Sequence, residues 1–297
     1  MSIIVSLTVP DAVILGVDSA VSIPGVAGLK APETDELLSE IPESMREWAR
    51  GPVIKVYEDA HKLFPLGNRP VGVAIYGTQL LGDRTIGNHL HEFVAKDPEG
   101  IIGQETTLQQ IAEGVNAYFT NLYDTIAKPF VANFRKMPFD QVPVEQRPGY
   151  GFVIGGYSAN AYFPEVFHVF VPNNSGPQRM RQQRELNVNW FGTYEPLDRY
   201  FKGYTQPLVE SLLEQFKKIH GSDLSEEEQA GIYAALAKYE YTTTASLMPV
   251  SVGVEYVRFL VGLVTNHYRY DVGMPIVGGP IRIGKATYAA GTFEILK

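Results

Sequence analysis

Ser2 directly follows Met1 and opens an apolar strand. A residue this small generally lets the methionine be removed, which leaves a free α-amine on the residue that carries the hydroxyl. An α-amine with a pKa of about 7.7–8.0 takes a proton readily near neutral pH. A hydroxyl activated by its own terminal amine is a known type of nucleophile. The expectation is therefore a mature chain beginning at Ser2. A plainer account stands beside it: serine is common at position 2 and there marks efficient methionine removal. Asp18 is the second residue that invites chemistry. It follows the unbroken apolar run Ala12–Val17, and a carboxylate at the edge of a core needs a partner.

Other motifs fail on inspection. Gly279-Pro-Ile-Arg-Ile-Gly284-Lys285-Ala286 is one residue from a phosphate-binding loop, but Ala286 replaces the hydroxyl and the following segment reads as strand where a helix N-terminus is needed. Gly155-Gly156-Tyr157-Ser158-Ala159 lacks the second glycine of a nucleophile elbow. His89 and His91 are two apart on a helix and point to different sides. With no Cys, no His-Glu-x-x-His and the other His scattered, no metal site is expected from a motif, which leaves only dispersed carboxylates as an alternative.

The elements that must hold Ser2 and Asp18 read from the pattern. Ile3, Val5, Leu7 and Val9 alternate with Ser2, Ile4, Ser6 and Thr8 as a half-buried strand. Pro10-Asp11-Ala12 turns into a fully buried strand ending at Asp18. Residues 22–52 form an acidic, Pro/Gly-punctuated insertion with one or two short helices around 34–49. Strands follow at Val53–Tyr57, Lys62–Leu66 and Val71–Tyr76. A helix carries Ile86, Leu90, Phe93 and Val94 on one face. A second, capped by Thr106 or Thr107, carries Leu108, Ile111, Ala112, Val115, Phe119, Leu122 and Ile126. Strands return at Tyr150–Gly155, Glu165–Val171 and Leu186–Phe191. Helices return at about 196–219 and 225–239, the latter opened by a Ser225/Glu228 capping box. Val254, Val257, Val261 and Val264 mark a last helix face. Pro280–Ile283 and Ala286–Ile295 are closing strands. This order is not βαβ alternation. It predicts an α+β fold, one domain over 1–297, with two antiparallel sheets and helices on both outer faces.

Composition narrows the class. The chain has 297 residues, 45% apolar and 20% charged, enough for a sizeable core and against disorder. A net charge of −8 gives no electrostatic case for nucleic acid or an anionic membrane. No apolar run approaches the roughly 18 residues needed to span a bilayer. The N-terminal apolar stretch lacks a preceding Lys or Arg and is broken by Asp11, unlike a signal peptide. A soluble cytoplasmic protein is expected.

The segment Ser2–Ala20, with Asp18 closing the second strand, resembles the opening hairpin of the proteasome β-subunit family, N-terminal-nucleophile hydrolases with bacterial HslV/Anbu-type relatives. His61-Lys62-Leu63-Phe64-Pro65-Leu66 resembles the strand bearing that family's catalytic lysine. Val71–Gly77 resembles the next strand, whose closing glycine lends its N–H to an oxyanion hole, with a helix opening near Leu80–Asp83. Tyr150–Phe170 and Val254–Ile283 match in pattern. The resemblance implies a four-layer αββα sandwich. It implies Ser2 as nucleophile, its amine as base, Lys62 as a nearby positive charge, Asp18 as the partner of Lys62, and Gly77 as oxyanion donor. Thr193 would supply the hydroxyl of a Gly-Ser-Gly run, here Gly192-Thr193-Tyr194. Asp271 is the nearest match to a further acid, although an insertion is needed to align it. Val277 stands where the family has Ser before Gly278-Gly279. The implied activity is hydrolysis of peptide or amide bonds, with no metal or organic cofactor, in a self-compartmentalised homo-oligomeric ring, on peptide or unfolded-protein substrate, with an ATPase unfoldase left open. Against the family, residues at about 22–52 and 205–250 are insertions, and the helix expected at 80–94 and the insertion 22–52 are candidate ring contacts. Two other readings use the same residues: an inactive ring-forming scaffold and a small-molecule amidase.

Overall fold

The structure is a computed structural model that describes residues 2–24, 53–97, 100, 102–103, 105–144, 147–172, 175–180, 184–271 and 277–296. The expected short helices around 34–49 lie outside them.

The chain opens with the hairpin β1 (Ile3–Val9) and β2 (Ala12–Val17), then β3 (Val21–Pro24), β4 (Val53–Tyr57), β5 (Leu63–Pro65), β6 (Val71–Gly77), β7 (Leu80–Leu81) and β8 (Arg84–Thr85). Helix α1 (Ile86–Lys96) follows, then α2 (Leu108–Leu122), one π-helical turn and α3 (Lys128–Arg135). Next come β9 (Tyr150–Gly156), β10 (Glu165–Val171), β11 (Gln178–Arg179) and β12 (Val188–Gly192). Helices α4 (Glu195–Lys202), α5 (Gln206–His220), α6 (Glu226–Ala237) and α7 (Val250–Tyr270) precede β13 (Arg282–Thr287) and β14 (Phe293–Leu296). The main strands form two five-stranded antiparallel sheets, ordered β12-β1-β2-β13-β14 and β11-β10-β9-β6-β5.

Period-two alternation distributes the core. Ile3, Val5, Leu7 and Val9 of β1 join Leu197, Phe201, Val257, Leu260, Val261 and Val264 of α4 and α7. Val71, Val73 and Ile75 of β6, with Tyr150, Phe152 and Ile154 of β9, join α1 and α2. A third cluster takes Ile4, Val13, Leu15, Val17 and Phe191 from the first sheet and Leu63, Ala74, Val153 and Val166 from the second. The even-numbered face of β1, which starts at Ser2, therefore looks toward the second sheet.

Several expectations change. β1 is buried on both faces, Ser6 and Thr8 included, because it is an inner strand with helices on one side and the other sheet on its second. Leu80–Leu81 and Arg84–Thr85 make a small hairpin, and the first helix starts only at Ile86, capped by Thr85. The helix expected at 196–219 is two helices: Gly203 ends α4 and Pro207 opens α5. The last turn falls after Thr287 because β13 pairs with β2 from Arg282↔Val17 to Thr287↔Ala12. Thr107 and Ser225 both make the full capping box.

Candidate active site

Three residues far apart in sequence meet at the start of β1. Ser2 is 2% exposed and Asp18 and Lys62 are 0% exposed. Lys62 Nζ donates to Ser2 Oγ at 2.9 Å, to Asp18 Oδ1 at 3.1 Å and to the Ala20 carbonyl. Those three bonds use all three ammonium protons. Asp18 accepts further bonds from Ile3 N–H at 3.0 Å, Ala20 N–H at 3.2 Å and Gly278 N–H at 3.3 Å. The partner Asp18 needs is thus Lys62, reinforced by backbone donors from three segments.

The pair is tuned by burial. Burial pulls the Lys62 amine below its ordinary 10.5, and Asp18 opposes the shift by charge and hydrogen bond. Burial pushes the Asp18 carboxyl up, opposed by Lys62 and by the Ile3 and Gly278 N–H groups. A lysine with a lowered pKa can give up its third proton. The neutral amine keeps its bonds to Asp18 and Ala20 and offers its lone pair to the Ser2 hydroxyl.

The elements explain this convergence. β2 ends at Val17, so Asp18 stands where the buried strand stops. Lys62 immediately precedes β5, and its carbonyl accepts from Ile75 N–H at 2.9 Å, which ties it to β6. On β6, Ile75 N–H points to the Lys62 side, while Thr78 N–H bonds to Gly149 O at 2.9 Å on the opposite side. Strand alternation therefore turns the Gly77 N–H toward the Lys62 edge. Gly77 has φ +88°, and a Cβ there would lie 2.4 Å from Gly149 O, so only glycine fits.

Thr193 is also at the site, but through its backbone: its N–H donates to the Ser2 carbonyl at 2.7 Å. Gly192, at φ +89°, leaves the space that this carbonyl occupies; a Cβ would sit 2.1 Å from it. Asp271 is the exposed C-cap of α7, whereas the Ser2 cluster is buried. Val277 is fully buried in the α7 cluster. Two contributors escaped the sequence reading: the Ala20 carbonyl and the Gly278 N–H. The Gly278-Gly279 pair was visible in sequence; its bond to Asp18 was not. A cavity of about 550 Å³ lies against Ala20, Gly278 and Gly279, walled by Arg269 and Glu58. Among the described residues, no group of three or more His, Asp or Glu is placed to hold a metal ion, and no helix is long and apolar enough to cross a membrane.

No family model and no curated protein matches the chain. Among solved structures it is similar to a Gly-1 mutant of Anbu from Hyphomicrobium sp. strain MC1, with 10% identity and a TM-score of 0.49 over 100% of this chain and 85% of that one. It is also similar to Anbu, described as an ancestral beta-subunit, from Yersinia bercovieri, with 11% identity and a TM-score of 0.49 over 96% and 81%.

Proposed function

We propose that the chain is a proteasome-like N-terminal-nucleophile hydrolase that cleaves peptide or amide bonds with Ser2. The observation that carries this reading is the buried Lys62 amine 2.9 Å from Ser2 Oγ and 3.1 Å from Asp18. Neutral Lys62 takes the hydroxyl proton as Oγ attacks the carbonyl carbon, and the Gly77 N–H faces the developing oxyanion. The C–N bond then breaks, the departing amine takes the proton, and an ester remains on Ser2. Water hydrolyses that ester, with the free Ser2 amine as base. Removal of Met1 is therefore required for turnover. The sequence alone assigns the first proton to the amine; the direct contact favours Lys62. Three core clusters, drawn from helix and sheet, sheet and sheet, and sheet and helix, support a four-layer αββα arrangement. Thr193 and Asp271 remain proposed supporting residues, the first through its N–H. The proposed assembly is a homo-oligomeric ring acting on peptides or unfolded protein.

A second reading, a ring-forming scaffold without chemistry, is favoured by one feature. Buried Val277 puts a hydrocarbon where the family resemblance calls for a hydroxyl. The deciding experiment is mass spectrometry after treatment with an electrophilic β-lactone. Protein beginning at Ser2 is expected to gain one adduct, mapped to Ser2 Oγ. A folded protein that starts at Ser2 and takes no adduct overturns the hydrolase reading.

A further inference from the structure

The two halves of the candidate site sit on different sheets: Ser2 on the first, Lys62 and Gly77 on the second. We propose that Tyr76 is a positioning residue that sets the spacing between them. The proposal rests on the hydrolase reading for its catalytic consequence.

Tyr76 is the residue before Gly77, and its ring lies between the sheets. A Cβ on Gly192 would be 3.8 Å from Tyr76 Cδ2 and 2.1 Å from the Ser2 carbonyl oxygen. Tyr76 thus packs beneath the turn that receives the Ser2 backbone. The ring also crosses the neighbouring strand of its own sheet at Gly151, where a Cβ would lie 2.2 Å from Cε1 and 2.6 Å from the hydroxyl. Its far end is fixed by a 2.7 Å hydrogen bond between Tyr76 OH and His168 Nε2. Rings stack around it: His168 at 5.9 Å, Phe170 at 6.3 Å and, from the first sheet, Phe191 at 6.5 Å. His168 itself stacks on Phe191 at 4.8 Å. One side chain therefore touches the surroundings of Ser2, adjoins Gly77 in the chain, and is clamped at its tip. Interiors packed this densely transmit displacement instead of absorbing it. Loss of the ring lets the sheets settle closer and shifts Ser2 Oγ against Lys62 and Gly77.

The test compares wild type, Tyr76→Phe and Tyr76→Leu in protein that begins at Ser2. The rate and affinity of β-lactone labelling are measured together with the amide shifts of ¹⁵N-glycine at Gly77 and Gly192. Tyr76→Leu should lower the maximal labelling rate, up to about a hundredfold for a displacement near 1 Å. The half-saturating lactone concentration should change less than about twofold, since binding surface is kept. Both glycine amides should move. Tyr76→Phe keeps the ring and loses only the bond to His168, so it should retain most of the rate. A folded Tyr76→Leu with unmoved Gly77 and Gly192 amides overturns the proposal, as does a wild-type labelling rate. Wild type that takes no label, while both amides move in Tyr76→Leu, sinks the hydrolase reading and leaves the spacing role standing.

Discussion

Lys62 makes three polar contacts, and each has a separate consequence. The Asp18 contact holds the amine, the Ala20 contact orients it, and the Ser2 contact is the one that does chemistry. Lys62→Ala removes all three and strands Asp18 in the core with only backbone donors. Breaking a buried pair this way costs about 3–5 kcal/mol, so Lys62→Arg is the companion variant that keeps a cation. Neither should form the Ser2 adduct, because alanine has no amine and the arginine guanidinium stays protonated. The pH dependence has a fixed sign. Below its pKa Lys62 is charged and its protons are committed; above it the lone pair accepts the Ser2 proton. The labelling rate should therefore climb with pH and level off below 10.5, the ordinary lysine value, since burial lowers this amine. A rate that is flat with pH removes Lys62 from the base role. The same shift has a stability sign. The folded state sheds this proton before the unfolded one, so Lys62 adds stability as pH rises from its folded pKa toward 10.5. Ser2 and Asp18 were legible in the residue pattern, one opening an apolar strand and the other closing one, whereas Lys62 and Gly77 were reached only through the family resemblance. The Ala20 carbonyl and Gly278 N–H were reached by neither route. Backbone atoms carry no residue-type signal, and the bonds to them span 42 and 260 residues.

At the scale of elements, legibility followed local determinants. The capping boxes at Thr107 and Ser225 are four-residue signals, and α2 and α6 begin where those signals put them. The last turn was misplaced because β13 is defined by its pairing with β2, a contact some 270 residues away in sequence. The two capped helices also separate propensity from packing. Helix α2 buries Leu108, Ile111, Ala112, Val115 and Phe119, while α6 buries none of its residues. Loss of a cap costs about 0.5–2 kcal/mol locally, but it reaches the global transition only where the helix unfolds with the core. Thr107→Ala should therefore lower the thermal midpoint measured by circular dichroism. Ser225→Ala should leave that midpoint nearly unchanged and speed amide exchange within α6. Equal midpoint losses in the two variants would contradict the separation.

The whole molecule is needed to build the site. Ser2 comes from the first sheet, Lys62 and Gly77 from the second, and Gly278 from the segment after α7, so no fragment assembles it. The outer surface raises a different question. Along α5, Leu208, Leu212, Phe216 and Ile219 recur on one face and stay exposed, Ile219 at 74%. Tyr200, Tyr241 and Phe259 form a second exposed apolar set, the Tyr200 ring centroid lying 5.6 Å from Tyr241 and 5.7 Å from Phe259. Contiguous apolar surface on this scale marks an association face more often than a solvent face. Closed symmetry would make such association self-limiting, and the proposed hydrolase gains from it, because a closed chamber restricts which substrates reach the site. In the segment 80–94, Ile86, Leu90 and Phe93 face inward and Leu80 is exposed, so any contact there is proposed for its outer face. Light scattering on untagged protein at micromolar concentration should give a mass well above a dimer. Leu212→Glu with Phe216→Glu should lower that mass if α5 is the contact, with the fold kept because both side chains are already about half exposed. A monomer mass for the unaltered protein would defeat both ring readings, active and scaffold, and leave the small-molecule amidase or an inactive relative that forms no ring.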